Sequence, residues 1–362
     1  MTLRVGVVGG GLVAQAMHLH YLAAKPDRFA LAALAEPSGT VREALGARYG
    51  IRGVHADYRG MLDAGGLDAL VVCSPAATHA EVVLDALDAG LDVFVEKPMC
   101  ITLRGADAIV AARDRTGRVV QVGTMKRYDP AYERMLGELP ESAETLRYVS
   151  VVVNDPEFEP FFGPGEIVRG SDVPRDLIEA TIRSEAEQVE EAVGAGDPES
   201  VRAFSESYLG SMIHDLNVVH GLLERMGEPL PAEVVDGAWW NEGRAVAGAL
   251  RLANGSRWDS AWIQLLATHD YQETIALFFD ESVRSLHFPS PWQKQRPTLY
   301  RRAERRDGTN AAQEWTAFEE AFSRELDHFH ACVTAGVPCR TPPEQARLDI
   351  EVLTQMFLAA RA

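Results

Sequence analysis

The sequence predicts an α/β protein in two parts. An N-terminal domain has a parallel sheet covered on both faces, and a C-terminal α+β domain is built on a mostly antiparallel open sheet. Three observations predict this. Short, continuously apolar strands alternate with helical stretches through the first third of the chain. The first strand runs into the glycine-rich turn Gly9-Gly10-Gly11. From about residue 231 onward the rhythm changes to strand-like runs that follow one another, closed by two helices.

The elements follow in order. Arg4 to Val8 is a β-branched run, and a helical stretch, Gln15 to Ala24, follows the glycines. Phe29 to Ala35 reads as a second buried strand ending at Glu36. Leu67 to Cys73 and Leu91 to Val95 are two more, with a helical pattern from Ala80 to Ala89 between them, and Val119 to Gly123 closes the series. Leu146 to Asn154 alternates like a strand. Residues 156–175, rich in Pro, Gly and acid, read as a loop, and residues 177–193 as an acidic helix with a solvated face. Strand-like runs then cover 232–240, 245–252, 256–266, 271–279 and 283–288, and helices are expected over Glu314 to Ala335 and Pro343 to Ala360. The change of pattern near residue 125 divides the chain into domains 1–125 and 126–362, with the C-terminal helix packing back on the first domain.

Composition narrows the function. At 362 residues two domains are expected, with a core that needs no staple. The net charge of -18 works against nucleic acid and anionic membrane as partners, since both require a cationic face. Cys73, Cys100, Cys332 and Cys339 form no Cys-x-x-Cys pair and show no zinc spacing, so no metal is expected and the thiols fit a reducing cytoplasm. No apolar stretch reaches a membrane span, and no basic n-region followed by an apolar h-region is visible at the start.

Gly9-x-Gly11-Leu12-Val13-Ala14 follows a strand and opens a helix. The first glycine permits the tight turn, the second admits a pyrophosphate to the backbone, and the small Ala14 lets helix and strand approach. Phosphates then meet free N–H groups at the helix start. Glu36 lies 25 residues beyond Gly11, at the end of the second strand, where a carboxylate accepts hydrogen bonds from a ribose 2′-hydroxyl. It repels a 2′-phosphate, and no Lys or Arg follows until Arg42, which favours NAD over NADP. These features make residues 1–125 a Rossmann dinucleotide-binding domain.

Other candidates sit at strand ends. Ser74-Pro75 follows the third apolar strand; either Thr78 caps the following helix and His79 is an ordinary first-turn residue, or they face the cofactor. Glu96-Lys97-Pro98 ends the next strand, and the Lys97 ammonium is either an exposed surface charge or a group that holds a substrate oxygen. Gly210 to His220 is the densest polar cluster on an amphipathic segment. On a helix, His214 and Asn217 share a face, as do Asn217 and His220. A neutral imidazole can take a proton from an alcohol, although a satisfied core histidine is the plainer reading.

In combination, the glycine turn, Ser74-Pro75 with His79, Glu96-Lys97-Pro98 and Gly123-Thr124-Met125-Lys126-Arg127-Tyr128-Asp129-Pro130 resemble the glucose–fructose oxidoreductase/inositol dehydrogenase (Gfo/Idh/MocA) family. Glu325-Leu326-x-x-Phe329 and the run through Gly336 to Arg347 are also similar. The resemblance is strong over residues 1–135 and looser over 155–207. It implies NAD bound by Gly9, Gly11, Leu12, Val13, Ala14, Glu36, Ser74, Pro75, His79, Glu96 and Lys97, with Lys97 as the catalytic lysine and a cis bond to Pro98. It implies an Asp and a His on one helix of the second domain, matched by His214-Asp215. The family's Asp four residues before the His is Gly210 here. The other register places the Asp at Asp215 and Val219 where the His belongs. Asp215 or Asn217 is then left to orient the His214 ring.

The expected mechanism has His214 take the proton of a secondary hydroxyl of a cyclic polyol or sugar as hydride leaves its carbon, while Lys97 steadies the oxygen. Lys97, Arg127, Tyr128, Asn217 and His214 are the expected substrate contacts, with Trp239, Trp240, Trp262, His269, Tyr271 and Trp292 as further aromatic or polar candidates. The resemblance also implies a homo-oligomer, dimer or tetramer, formed through the C-terminal sheet. Two other functions fit the same motifs. One is a redox-neutral enzyme, epimerase-like or glycoside-cleaving, that retains and recycles its NAD. The other is a non-catalytic NAD-binding regulator, against which the intact Lys97 argues.

Overall fold

The computed structural model describes the chain except Glu159, Pro160, Pro164, Pro231, His269, Asp307 and Ala362, and the side chain of Arg306. The chain forms two compact units. The first comprises Met1–Gly123, Phe162–Glu191 and Phe322–Arg347, and the second Thr124–Phe161, Ala192–Ala321 and Leu348–Ala362.

The first unit holds strands β1 (Leu3–Val8), β2 (Phe29–Ala35), β3 (Gly53–His55), β4 (Ala69–Val72), β5 (Asp92–Glu96) and β6 (Val120–Gly123). They form one parallel sheet in the order β3-β2-β1-β4-β5-β6. The order reverses direction between β1 and β4, the point at which an open α/β sheet leaves a crevice outside its strand ends. β4 and β5 are buried along their whole length, as strands covered on both faces must be. After β1 the chain makes π-helical turns over Ala14–His18 and continues as α1 (Leu19–Ala23). Helix α2 (Gly39–Tyr49) is capped by Ser38, whose hydroxyl accepts the Val41 N–H at 3.1 Å, and α5 (Leu103–Thr116) by Thr102, which accepts the Gly105 N–H at 3.0 Å. Helices α3 (Tyr58–Ala64) and α4 (Ala76–Asp88) complete the alternation.

In the second unit β7 (Leu146–Pro156) is central to an eight-stranded sheet. With β8 (Glu233–Trp240), β9 (Ala245–Arg251), β10 (Arg257–Leu265), β11 (Gln272–Phe279), β12 (Ser282–Phe288), β13 (Leu299–Arg306) and β14 (Thr309–Thr316) it gives the order β14-β13-β12-β11-β7-β10-β9-β8. Every pairing is antiparallel except β7 with β10. Val149, Val151 and Val153 on β7 are buried, whereas Val152 between them is exposed, so one face meets the core. That core is filled from a continuous helical stretch: α8 (Pro198–Val201), π-helical turns over Arg202–Met212, and α9 (Ile213–Arg225). The Tyr208 hydroxyl lies 2.9 Å from the Ala238 carbonyl and 2.8 Å from that of Ala247, which ties the π-helical turns to the sheet. Helix α6 (Pro130–Glu138) begins with Asp129 capping it at 2.7 Å from the Ala131 nitrogen.

Several elements differ from the sequence expectations. The helix expected over Glu314 to Ala335 starts only at α10 (Ala321–Ala335), because Glu314 to Thr316 belong to β14, paired with β13. That hairpin escapes the pattern because its strands, arginine-rich in β13 and mostly small or polar in β14, show no run of alternating apolar and polar residues. The helix expected from Ala80 begins at Ala76, with Pro75 as its cap. Helices α2, α3 and α5 and the three-residue β3 carry no strong periodicity; α2 buries only Val41, Leu45 and Gly46. The acidic helix, α7 (Arg175–Val193), and the final helix, α11 (Pro343–Ala359), lie within two residues of their expected limits.

Candidate functional site

At the carboxyl ends of β1, β4, β5 and β6 the first unit gathers the Gly9 turn, Ser74-Pro75, Lys97 and Gly123 along one edge of the sheet. Gly9 has φ +92°, and a Cβ there stands 2.7 Å from the Cys73 carbonyl oxygen, so only glycine serves. A Cβ on Gly11 meets no atom within 4 Å. The turn is therefore tight at its first glycine and open at its second, the room a pyrophosphate needs at a helix start. These residues fit a dinucleotide.

Glu36 closes β2. Its carboxylate accepts the Gly10 N–H at 2.8 Å and the Ser38 N–H at 2.8 Å, so it is fixed beside the glycine turn. The Arg42 guanidinium is turned onto the Glu36 carbonyl at 2.5 Å. A second carboxylate joins this loop from residues 162–191: Asp172 accepts hydrogen bonds from the Ser38 hydroxyl and, at 2.9 Å, from the Thr40 N–H. The Ser38 bond, aided by the Thr40 amide, holds its carboxyl down to about 2, so it is fully charged at neutral pH. The same segment is tied down at Gln15, whose amide donates to the Val168 carbonyl at 2.9 Å and accepts the Val168 N–H at 2.8 Å. Gln188 on α7 donates to the Ala77 carbonyl at 2.7 Å. Sequence reasoning read residues 156–175 as loop and α7 as a solvated face; Asp172 carried no signal, because its partners lie 132 and 134 residues away.

Lys97 follows β5, and its bond to Pro98 is cis. Two buried groups hold the turn. The His79 ring bridges the Pro98 carbonyl at 2.8 Å and the Ser74 carbonyl at 2.7 Å, which joins the ends of β4 and β5. Burial pushes the His79 pKa down against these two carbonyls, which favour its charged form. Glu96 meets His18 Nε2 at 2.6 Å and accepts the Lys97 N–H at 3.1 Å. Burial pushes the Glu96 carboxyl up, but the His18 hydrogen bond and charge, with Lys97 and His79, leave it below its usual range. Glu325, buried nearby, is pushed well above its usual range by burial and then by the charge of Glu96. Thr78, a cap candidate, instead donates to the Pro75 carbonyl and touches the Ser74 hydroxyl, both at 2.8 Å.

In the second unit, α9 carries His214, Asp215, Asn217 and His220. Asp215 is buried and lies 3.4 Å from Lys126 Nζ, which is itself 2.6 Å from Glu273 Oε1. The Tyr271 hydroxyl donates to the other oxygen of Glu273. Burial pushes the Asp215 carboxyl well above its usual range, more than Lys126 lowers it. Burial acts to lower Lys126, but the charges of Asp215 and Glu273 win and raise it. The cluster thus sets one ammonium against two carboxyls, of which Asp215 is pushed up by burial while Lys126 acts to lower it. Neighbouring positions on a helix point about 100° apart, so Asp215 faces Lys126 from a different side of α9 than His214. Asn217 Nδ2 donates to Asp349 Oδ2 at 2.6 Å, and His220 Nδ1 lies 2.7 Å from Asp349 Oδ1. All three are buried, so His220 is part of the core.

The remaining candidates divide. Arg127 is buried, donates to the Asn217 carbonyl at 3.2 Å, and lies 3.7 Å from Glu224. Tyr128 and Trp262 are core residues. Trp239 stacks on Phe357 at 6.3 Å, Trp292 packs against Phe158 at 6.0 Å, and Trp240 is exposed. His269 lies outside the described residues. Sequence reasoning missed Lys126, Glu273 and Asp349. Lys126 stood inside a quoted motif, but its partners come from α9 and β11, and only the folded register joins them.

Comparison with known proteins bears on the nucleotide-binding unit and on the fold. Residues 3–124 match the model of an oxidoreductase family with an NAD-binding Rossmann fold, Gfo/Idh/MocA. Inositol 2-dehydrogenase 2 of Saccharopolyspora erythraea is 38% identical over 141 residues, which is 37% of this chain and 40% of that protein. The match thus spans well under half of the relative's length. Two solved structures cover 99% of this chain and 98% of their own: a putative myo-inositol dehydrogenase from Sinorhizobium meliloti (TM-score 0.69, 19% identity) and KijD10, a 3-ketoreductase from Actinomadura kijaniata in complex with NADP and TDP-benzene (TM-score 0.74, 17% identity). At that identity they speak for the fold of the whole chain. Over residues 3–124 the chain thus resembles the NAD-binding Rossmann fold of the Gfo/Idh/MocA oxidoreductases, and over its whole length it shares the fold of the two solved structures.

Proposed function

We propose that the chain is an NAD-dependent oxidoreductase that moves hydride between the nicotinamide and a secondary hydroxyl or ketone of a cyclic polyol, sugar or sugar derivative. One observation carries the reading: the glycine turn, the buried Glu36 and Lys97 share one edge of a sheet with the dinucleotide-binding strand order. Bound NAD supplies the hydride acceptor. The Lys97 ammonium holds the substrate oxygen and steadies its charge as the ketone forms. The His214 imidazole takes the hydroxyl proton and returns it in the reverse direction. Asp215, held beside Lys126 and Glu273, keeps that part of α9 fixed. Leu12, Val13 and Ala14 offer their amides to the pyrophosphate, while Ser74, Pro75, His79 and Glu96 shape the strand ends around it. Arg127, Tyr128 and Asn217, buried in the second unit, act on the substrate by supporting the helix and loop that carry His214.

NAD is the preferred cofactor in this reading, because Glu36 and Asp172 put two carboxylates on the loop after β2, and Arg42 is bonded to a backbone carbonyl. A panel of inositols, sugars and sugar nucleotides with NAD and NADP, read as reduced cofactor, tests it. NAD should give the higher kcat/KM by about tenfold or more, and Glu36→Ala should narrow the ratio. Reduced cofactor from no polyol or sugar overturns the reading, and a preference for NADP overturns the role of Glu36. His214→Ala should lower kcat by about 10²–10⁴ with little change in NADH affinity measured by fluorescence.

The open face of the second sheet supports a homo-oligomer, dimer or tetramer. Ala238, Ala247, Ala261 and Val152 lie in neighbouring register there, small or apolar and not fully buried. Among the described residues no helix is long and apolar enough to cross a membrane. Four free thiols support a reducing compartment, the cytoplasm.

A further inference from the structure

Outside the proposed active site, the first unit contains a cluster that spacing along the chain does not announce. His328 and Cys332 are four residues apart on α10 and share a face. Cys339 comes from the segment between α10 and α11. One ligand atom from each of the three lies within 4.8 Å of the other two. In a tetrahedral zinc site, with Zn–S about 2.3 Å and Zn–N about 2.0–2.1 Å, neighbouring ligand atoms stand roughly 3.4–3.8 Å apart, so small side-chain adjustments close the set.

We infer that His328, Cys332 and Cys339 form a binding site for a soft divalent cation of the zinc class. The donor set selects the metal: two thiolates and an imidazole suit Zn²⁺ and exclude Mg²⁺ or Ca²⁺, which take oxygen ligands. The frame is already built. The Cys339 segment is pinned to the edge strand β6, where the Val122 N–H donates to the Thr341 carbonyl at 3.0 Å and the Thr341 hydroxyl donates to the Val122 carbonyl at 2.8 Å. Helix α10 is held to the same strand by Gln121, whose amide donates to the Glu325 carbonyl at 2.9 Å. The Arg340 N–H donates to His328 Nε2 at 3.1 Å and orients the ring; ligation uses the ring's one lone pair, so either Nε2 exchanges this bond for the metal or the ring proton moves from Nδ1 to Nε2 as Nδ1 ligates. Cys332 is buried, and Cys339 and His328 are half-buried, which leaves the fourth corner to water. Binding releases two thiol protons and forms two metal–sulfur bonds and one metal–nitrogen bond, with no change of oxidation state. The other His/Glu group of the unit, His18 with Glu96 and Glu325, is fully buried and already joined by its own hydrogen bond, and it does not compete.

The bound cation cross-links α10 to the segment that covers the β6 edge. The test uses the full chain, stripped with a chelator under reducing conditions and titrated with Co²⁺ and then Zn²⁺. Expected are about one equivalent of Co²⁺ per chain with thiolate-to-cobalt charge-transfer absorption, its displacement by Zn²⁺, and a rise in melting temperature with metal. Cys339→Ser, at a half-buried position, should weaken Co²⁺ binding by about tenfold or more and reduce the absorption. Zn²⁺ should also slow alkylation of both thiols in the unaltered chain, a reading that needs no variant. Absent absorption, equal uptake by Cys339→Ser, or a chain that forms a 332–339 disulfide with a mild oxidant but takes up no metal when reduced, overturns the site. None of these readings involves turnover, so they stand apart from the proposed hydride transfer.

Discussion

Lys97→Ala is expected to lower kcat/KM for any responsive polyol or sugar by about 10²–10⁴ while NADH affinity changes little. The physical reason is local. Lys97 follows β5 at the carboxyl edge of the sheet, and its backbone amide is fixed by Glu96, which His18 holds from below. An ammonium so placed acts on charge that develops on the substrate oxygen, which binding of the cofactor alone does not require. Lys97→Arg should not rescue the loss, because a planar guanidinium presents its charge farther out and in a fixed fork. Steady-state kinetics with a cofactor-binding titration check both halves. A loss confined to KM would assign Lys97 to ground-state binding, and unchanged turnover would remove it from the chemistry.

Lys126→Met is expected to destabilise the fold by about 3–5 kcal/mol, read as a shift in the denaturant midpoint. The substitution keeps the side-chain length but leaves Asp215, Glu273 and the Tyr271 hydroxyl facing one another in a buried site. Adding Glu273→Gln should return part of the loss, since the polar group then buries no charge. The same cluster sets a pH dependence. Asp215 keeps its proton in the folded chain above the value at which an unfolded carboxyl, near 4, has lost it. The folded state then binds the extra proton, so its stability falls as pH rises from about 4 toward the raised folded value. Asp215→Asn should flatten that slope in denaturation measured across pH. A slope equal to that of the unaltered chain would place the proton elsewhere.

The sequence was informative where one element carries the whole signal. Gly9, Gly11, Glu36 and Lys97 each stand at a strand end, and buried strands are legible as short apolar runs, so their neighbourhood in a parallel sheet followed. Helix α9 was legible too, as a polar stripe on an apolar ground. What escaped depends on distant pairing. Asp349 lies on α11, 129 residues from His220, and nothing local marks it as a partner. Asp172 sits in a stretch read as loop, yet it bonds the residues next to Glu36. The β13–β14 hairpin was hidden because its charged residues satisfy neither the period of 2 with an apolar face nor the helical period. In each case the missing information is the register of two segments, which composition does not encode.

The first unit is stitched from three stretches of chain, and this bears on how the protein comes into being. Phe322 and Phe329 of α10 pack against His18 and Phe94, with ring centroids 5.9 Å apart in each pair. Those partners emerge from the ribosome more than two hundred residues before the helix that shelters them. During synthesis the nucleotide-binding sheet therefore waits, with an aromatic face uncovered, until α10 has been made. Its completion is a late event, closing loops of high sequence separation, and a truncated product ending before α10 leaves that greasy surface as a handle for chaperones and for aggregation.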